Sequence, residues 1–286
     1  MLTISPGKRY LITGGSGFLG AALIEYILNE GGAIRVISRN EGKLIELKEK
    51  FPAIEIYPGD VSNVTEVIQA IQDINGIFHL AAFKHVGLAE KFVSENIKTN
   101  IIGSLNILEQ SLHHPNIEFI LGISTDKAVQ VVGVYGASKF LMERLFRQFE
   151  EMNPSCQYRL VRYGNVLYST GSVLCKWKAL IPQGKEIIVT EPTATRFFWT
   201  VDEAIHLIKE CMKYSTNCTP YYPNMKSIKI QDLVDAMILK YSNGKPISIK
   251  TIGLQPGENL HEKVLEEGPY SNEVEQYTIE EILQMI

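Results

Sequence analysis

Residues 10–20 read Tyr-Leu-Ile-Thr-Gly-Gly-Ser-Gly-Phe-Leu-Gly: an apolar strand-like run empties into a glycine turn, and an apolar helical pattern starts at Phe18. Nothing else in the chain restricts its fold as much. A strand that turns over glycines straight into a helix opens a βαβ unit, and glycine is needed where backbone lies close against backbone or ligand. Two parses stay open. Gly15, Gly17 and Gly20 fit GxGxxG, whereas Gly14, Gly17 and Gly20 with Thr13 in front fit TGxxGxxG. Both place oriented N–H groups and the positive end of a helix dipole where a pyrophosphate can sit. Thr13, Gly14, Gly15, Ser16, Gly17, Phe18, Leu19 and Gly20 are therefore candidate residues for a dinucleotide cofactor.

From residue 8 to 161 short apolar runs alternate with amphipathic segments, the pattern of a parallel sheet covered on both faces by helices. Strands are predicted at 9–13, 34–37, 54–57, 76–80, 118–123 and 158–162, and helices at 18–29, 64–72 and 94–112. The fold class is α/β, a doubly wound parallel sheet of Rossmann type. After Gly164 the alternation breaks down among Pro182, Pro192, Pro220, Pro223, Pro246, Pro256 and Pro269. This predicts a cofactor-binding domain over 1–165 and a smaller substrate-binding part over 166–286, with a helix at 201–212 packing back on the sheet. The acidic stretch 262–281 reads as ordinary surface helix.

Composition removes several classes. A net charge of -4 without a basic run argues against a nucleic-acid partner. Cys156, Cys175, Cys211 and Cys218 form no CxxC pair and no zinc spacing, so no metal site is expected and the thiols read as reduced and cytoplasmic. No segment has the apolar length of a membrane span, and no signal peptide is visible. A soluble cytoplasmic protein is expected.

At the end of the second strand stands Ser38-Arg39 instead of a carboxylate. A hydroxyl plus guanidinium suits the 2′-phosphate of NADP, although Arg39 could stack on the adenine of NAD as well. Asp60-Val61 follows the third strand and faces the adenine, and Leu80-Ala81-Ala82 follows the fourth, where small side chains let backbone pass the cofactor ribose.

Acid/base candidates cluster next. Tyr135 and Lys139 are spaced i, i+4 at the start of a helix-forming run. An ammonium beside a phenol favours the phenolate, so the pair can serve as a base for alcohol oxidation. The same spacing at Tyr222/Lys226 and Tyr241/Lys245 lies among turn residues and carries no such geometry. Ser124-Thr125-Asp126-Lys127 adds a second acid/base system, more than hydride transfer needs.

These words, with Ala81-Ala82-Phe83-Lys84-His85-Val86, Ile97-Lys98-Thr99-Asn100, Arg162-Tyr163-Gly164-Asn165-Val166, Gly171-Ser172-Val173, Thr195-Arg196-Phe197, Pro256-Gly257-Glu258 and Leu260-His261-Glu262, span nearly the whole chain. The sequence resembles the extended short-chain dehydrogenase/reductases of polysaccharide biosynthesis, specifically the UDP-N-acetylglucosamine 4,6-dehydratases. The resemblance implies a tightly held NADP regenerated in each turnover, and a UDP-sugar as partner. It implies that Tyr135 takes the proton of the 4-hydroxyl, with Lys139 lowering its pKa. Lys127 removes the C5 proton, Asp126 protonates the departing 6-hydroxyl, and Thr125 bonds the 4-oxygen. Arg196 is expected on the diphosphate, Asn165, Gly171, Ser172 and Val173 around the nucleotide, Lys84 near the sugar, and Glu258 in the loop around the nucleotide. Val129-Gln130-Val131-Val132 departs from the family's usual Asn-Pro step. Against the family pattern the protein is expected to end early and to do without the N-terminal membrane portion of larger relatives. A homo-oligomer is expected. The alternative activity is an NADPH-dependent 4-ketoreductase or a 4-epimerase of a UDP-sugar, which shares Tyr135 and Lys139 but leaves Asp126 and Lys127 without a proton to move.

Overall fold

The computed structural model describes residues 1–286. The first half runs β1 (Arg9–Thr13), α1 (Phe18–Asn29), β2 (Ala33–Ser38), α2 (Glu41–Lys50), β3 (Glu55–Pro58), α3 (Val64–Ala70) and β4 (Gly76–His79). It continues through α4 (Val86–Ala89), α5 (Val93–Ile97), α6 (Gly103–His113), β5 (Phe119–Thr125), α7 (Val134–Met152) and β6 (Gln157–Tyr163). The six strands are parallel in the order β3-β2-β1-β4-β5-β6. This is the doubly wound order, whose switch point lies at the carboxyl ends of β1 and β4.

The apolar runs of these strands are continuous because helices bury both faces. Tyr10, Ile12, Val36, Phe78 and Leu121 look to one side, and Leu11, Ile37, Ile77 and Ile120 to the other. On the first side α1 contributes Leu23, Ile24 and Ile27, the i, i+1, i+4 stripe of a helix with one buried face. On the other side Val67, Ile107, Leu108, Met142 and Phe146 of α3, α6 and α7 close the second core.

The second half holds β7 (Asn165–Val166), α8 (Val173–Leu180), β8 (Ile187–Val189), β9 (Thr195–Arg196), β10 (Phe198–Trp199), α9 (Val201–Tyr214), β11 (Ile228–Lys229), α10 (Ile230–Tyr241), β12 (Ile249–Thr251) and α11 (Ile279–Met285). Its strands form three two-stranded sheets, β10 with β7, β11 with β9 and β12 with β8. Trp177, Ile187, Phe198, Leu233, Met237 and Ile282 form a third core there. Helix α9, opened by a Thr200/Glu203 capping box, lays Ala204, Leu207, Ile208 and Cys211 into the first core beside α1 and β6.

Two readings need correction. The helix expected over 94–112 is interrupted by a π turn at Lys98–Ile102, an insertion too small to disturb the apolar periodicity. The stretch 262–281 is not surface helix, since only α11 is helical there and Glu262 is buried. Its backbone is tied to the rest of the chain instead: Ser227 N donates to the Glu275 carbonyl at 3.0 Å, and Tyr277 N to the Ser227 carbonyl at 2.9 Å. No helix is long and apolar enough to cross a membrane, and all four cysteines are unpaired.

Candidate active site

The glycine turn is a cradle of backbone. Gly14 has φ +68°, and a Cβ there would lie 2.8 Å from the Ala81 backbone nitrogen, so the turn after β1 and the one after β4 meet through glycine. A Cβ at Gly20 would enter the Gly15 carbonyl oxygen, so α1 can lie this close to the turn only with glycine at 20, while a Cβ at Gly15 would crowd Val36 and Ile12. Gly17 is exposed at the helix mouth and accepts no side-chain cap, which leaves the first N–H groups of α1 directed outward. This is the donor set and clearance a pyrophosphate requires. Thr13 is buried; its Oγ1 receives the Ala81 N–H at 3.1 Å and contacts His79 Nδ1 at 2.8 Å. His79 Nε2 meets Ser104 Oγ at 2.9 Å, and burial, then Lys139, pushes this imidazole down to about 3, so it serves as a neutral strut. Phe18, Leu19, Leu80, Ala81 and Ala82 are half-buried around the turn.

At the outer end Ser38 Oγ lies 2.6 Å from Ser16 Oγ, and Arg39 Nη1 is 3.7 Å from Asp60 Oδ2. The guanidinium is exposed, so this ion pair is weak and leaves Arg39 free to turn to a ligand. Val61, by contrast, is buried under α6 in the second core, with only Asp60 left at the rim.

The acid/base centre forms where β5 ends. Thr125 closes the strand and its Oγ1 donates to Asp126 Oδ1 at 2.8 Å. A single 3₁₀ turn, Asp126–Ala128, then presents Lys127, whose Nζ is 3.2 Å from Asp126 Oδ1. Asp126 has no exposed surface, and its Oδ2 has no hydrogen-bond partner. Burial raises its carboxyl above the ordinary range; Lys127 opposes this and Glu262 adds to it. Burial pulls Lys127 down, but Asp126 and then Glu262 outweigh it and hold the amine above the usual lysine range. Helix α7 brings Tyr135 against this turn. Gly136 makes the approach possible, because a Cβ there would enter the Lys127 carbonyl oxygen. Burial pushes the phenol up to about 12, with Lys127 pulling against it.

Lys139 takes a different place from the expected one. Its ammonium lies 3.0 Å from Met142 Sδ and is buried, which draws it down to about 8 against the attraction of Glu143. The cation that acts on the Tyr135 phenol in this arrangement is Lys127. The i, i+4 spacing puts the two side chains on one helix face but leaves their rotamers to the surroundings.

The expected nucleotide side assembles in part. Gly171, at φ +80°, would carry a Cβ 2.9 Å from the His85 Cε1, so the 81–85 loop faces the Gly171-Ser172 turn that opens α8. Lys84 and Val173 are exposed there, and Asn165 pairs with Phe198 at the base. Arg196 is elsewhere. It is buried, its Nη1 is spent on the carbonyls of Thr195 at 2.8 Å and Leu260 at 2.9 Å, and its Nε lies 3.8 Å from Glu262 Oε1. Arg196, expected on the diphosphate, thus joins the charge cluster of Lys127 through Glu262. Glu258 Oε2 accepts from Gln255 N at 3.1 Å and shapes the loop whose Gly257 abuts Gly133 at the start of α7.

Several supporting residues received no role in the sequence reading, although Asn100, Ser124 and Arg162 stand in its motif words. Asn100, in the π turn, donates to Ser138 Oγ at 2.9 Å and accepts the Phe83 N–H at 2.7 Å, tying α7 to the 81–85 loop. Glu90 accepts the Val134 N–H at 2.6 Å and caps α7, which has no cap of its own. Glu143 pairs with Arg162 at 2.6 Å beneath the centre, and Ser124 Oγ donates to it at 2.5 Å. No local pattern marks these contacts, since each partner is distant in sequence.

Comparison with known proteins agrees with this architecture. The family model described as "Polysaccharide biosynthesis protein" matches residues 10–284. An uncharacterized membrane protein of Methanocaldococcus jannaschii is 35% identical over 97% of this chain and 84% of its own. The inverting UDP-N-acetylglucosamine 4,6-dehydratase of Campylobacter jejuni is 33% identical, covering 89% of this chain and 76% of its own. A UDP-glucose 4-epimerase of Rickettsia rickettsii is 32% identical, with 90% and 77% covered. The X-ray structure of Pen from Bacillus thuringiensis superposes with a TM-score of 0.93 at 28% identity, covering 99% of this chain and 98% of that one.

Proposed function

The chain belongs to the polysaccharide biosynthesis protein family, and from that premise we propose that it is an NADP-dependent nucleotide-sugar 4,6-dehydratase acting on UDP-N-acetylglucosamine. One observation carries the reading. A fully buried carboxyl and a partly buried amine, 3.2 Å apart, stand beside the tyrosine on the turn that ends β5. Oxidation at C4 engages only the tyrosine; elimination across C5 and C6 needs a second base and an acid.

A bound nicotinamide dinucleotide supplies the hydride acceptor for C4 and the hydride donor for C6. Its pyrophosphate is held by Gly14 to Gly20 and the N-terminus of α1, its 2′-phosphate by Ser38 and Arg39, and its ribose by Lys139. Thr125 bonds the sugar 4-oxygen, and Tyr135 takes its proton as the phenolate, the form that Lys127 and the positive charge of an oxidised nicotinamide favour against the burial that raises the phenol. Asp126 and Lys127 act as one proton-sharing unit. At rest the proton sits on Lys127, held there by Asp126 and Glu262. Moving it along the 3.2 Å contact to Asp126 leaves a neutral amine beside a neutral acid. Lys127 then removes the C5 proton, made acidic by the 4-ketone, while Asp126 protonates the departing 6-hydroxyl. The charges of the resting pair are restored. Lys127 then returns a proton to C5 and recovers one from Tyr135, which restores the phenolate; two protons leave the sugar, at O4 and C5, and two return, at O6 and C5, so no external acid or reductant is consumed. Lys84, Asn165, Gly171, Ser172 and Val173 hold the nucleotide, with Glu258 shaping the loop that covers it.

The Rickettsia relatives favour 4-epimerisation as the second reading. Incubating the purified protein with UDP-N-acetylglucosamine in deuterated water, with no cofactor added, separates the two. Loss of one water with deuterium at C5 supports the dehydratase. Unchanged mass with inversion at C4 transfers the assignment to an epimerase.

A further inference from the structure

Glu262 enters the acid/base centre from the far end of the chain. Its side chain is 1% exposed, and Oε1 lies 3.4 Å from Lys127 Nζ and 3.8 Å from Arg196 Nε without a hydrogen bond to either. Oε2 accepts only from Asn259 Nδ2, at 3.2 Å. The carboxylate is thus buried, underbonded and aimed at the amine.

Its backbone is fixed on every side. Glu262 N donates to Ser271 Oγ at 2.9 Å, Ser271 N donates to the Glu262 carbonyl at 2.8 Å, and Ser271 Oγ donates to the Thr195 carbonyl at 3.1 Å. Two residues on, the Val264 carbonyl accepts from Arg162 Nη1 at 2.9 Å. A surface glutamate that had merely folded inward would not be anchored to β9 and to β6 together. We infer that Glu262 is a positioning residue for the Asp126/Lys127 pair: the 259–271 segment delivers a second carboxylate that orients the Lys127 amine and sets the charge against which the pair exchanges its proton. This rests on the dehydratase reading for its catalytic meaning, but the electrostatic effect stands apart from the substrate.

The groups facing the pair are Asp126 and Lys127 on the 3₁₀ turn, Arg196 from β9, Tyr135 from α7 and Glu262 itself; the His261 ring turns away to Thr195 Oγ1 at 2.8 Å. Glu262 raises both Lys127 and Asp126. Glu262→Gln therefore moves both in one direction. The base limb and the acid limb of the dehydration pH profile should shift together to lower pH by about one unit or more, the effect of removing a unit charge at this separation even in a water-like dielectric.

The test measures two things on the full-length protein. One is the kcat profile for water loss from UDP-N-acetylglucosamine. The other is competitive acetylation of Lys127 by acetic anhydride in the substrate-free protein, normalised to the exposed Lys185, at about pH 9. Glu262→Gln should acetylate about tenfold faster or more, because acetylation follows the neutral amine fraction. Glu262→Asp, which keeps the charge but withdraws it, should show smaller shifts of the same sign, and it stands in if the glutamine variant does not fold. Wild-type acetylation and an unmoved profile, with only a lower melting temperature, would make Glu262 a structural residue and overturn the inference. Faster acetylation in a protein that dehydrates no sugar would uphold the positioning role and sink the dehydratase reading instead.

Discussion

Gly136 offers a perturbation that touches geometry and leaves every acid and base in place. It follows Tyr135 in the first turn of α7, and a Cβ there would collide with the Lys127 carbonyl oxygen and lie 3.2 Å from the carbonyl carbon. In an ordinary helix interior, Gly→Ala stabilises by roughly 0.5–1 kcal/mol. Here the sign should reverse, because both partners are backbone: a 19-residue helix on one side and the turn ending β5 on the other. Neither can yield alone. Relief of the contact takes a separation of roughly 1 Å, and overpacking of that kind costs about 1–3 kcal/mol. The helix carries Tyr135 and Lys139, while the turn carries Thr125, Asp126 and Lys127, so the displacement falls between the two halves of the chemistry. A misplacement of ~1 Å among reacting groups lowers turnover by about 100-fold. Gly136→Ala should therefore melt lower than wild type and lose about two orders of magnitude in kcat, with the shape of its pH profile retained. Thermal unfolding and steady-state water loss from UDP-N-acetylglucosamine measure both. A variant that melted higher and turned over at the wild-type rate would show that helix and turn are not coupled through this contact, and the reasoning would fail.

Tyr135→Phe should leave the bound cofactor oxidised after substrate is added, as read by nicotinamide absorbance, because nothing then accepts the O4 proton. Asp126→Asn should allow that absorbance change yet release no dehydrated sugar; a normal product yield would remove Asp126 from the acid role. It should also flatten the stability curve: the raised Asp126 carboxyl binds its proton more tightly in the folded than in the unfolded chain, so wild-type stability falls as pH climbs through that window and the variant's does not. Lys139, drawn down to about 8 from 10.5, is protonated more readily unfolded than folded between those values, so its contribution to stability rises with pH across that span. Cofactor-free Lys139→Met should accordingly melt higher than wild type near pH 7, with the gap closing towards pH 10.5; a pH-independent gap would contradict the burial argument. Denaturing the purified protein should release NADP in place of NAD if Ser38 and Arg39 hold a 2′-phosphate, and Arg39→Asp should reverse the preference.

How much of this was legible depended on how local each signal is. The glycine turn announced itself because its constraint, backbone against backbone within one strand-to-helix junction, is written in seven consecutive residues. Strand positions followed from apolar runs buried on both faces, and β1 and α1 fall on the residues the pattern indicated. The second half resisted. Its strands are two or three residues long and pair with partners far away in sequence, as β9 does with β11, so no periodicity can develop. Arg196 was expected on the diphosphate from the resemblance, which does not reveal that the Thr195 and Leu260 carbonyls occupy its Nη1. Lys139 was read from helical spacing, which gives the face and not the rotamer that ends at Met142. Glu262 looked like one charge in an acidic stretch, and only the loop's ties to Ser271 and Arg162 carry it inside.

The energetic character of the centre bears on what it is for. Asp126, Lys127, Glu262 and Arg196 form a chain of two carboxylates and two cations joined at 3.2, 3.4 and 3.8 Å, with every member but Lys127 buried. Such a cluster is balanced in charge, yet desolvation of its members offsets much of their attraction, and apolar residues of similar volume often make a more stable interior. A 4-epimerase needs the ketone at C4 and a rotation of the sugar; it has no proton to move at C5 or O6. For that chemistry the Asp126 and Lys127 positions would be occupied at a cost in stability with nothing gained at the sugar. Elimination uses both. It requires a carboxyl that readily takes up a proton and an amine that can surrender its proton to that carboxyl and recover one from carbon. Burial of Asp126 supplies the first condition, and the 3.2 Å contact between the two groups supplies the second. The same burial that makes the pair expensive to keep is what the proposed water loss requires.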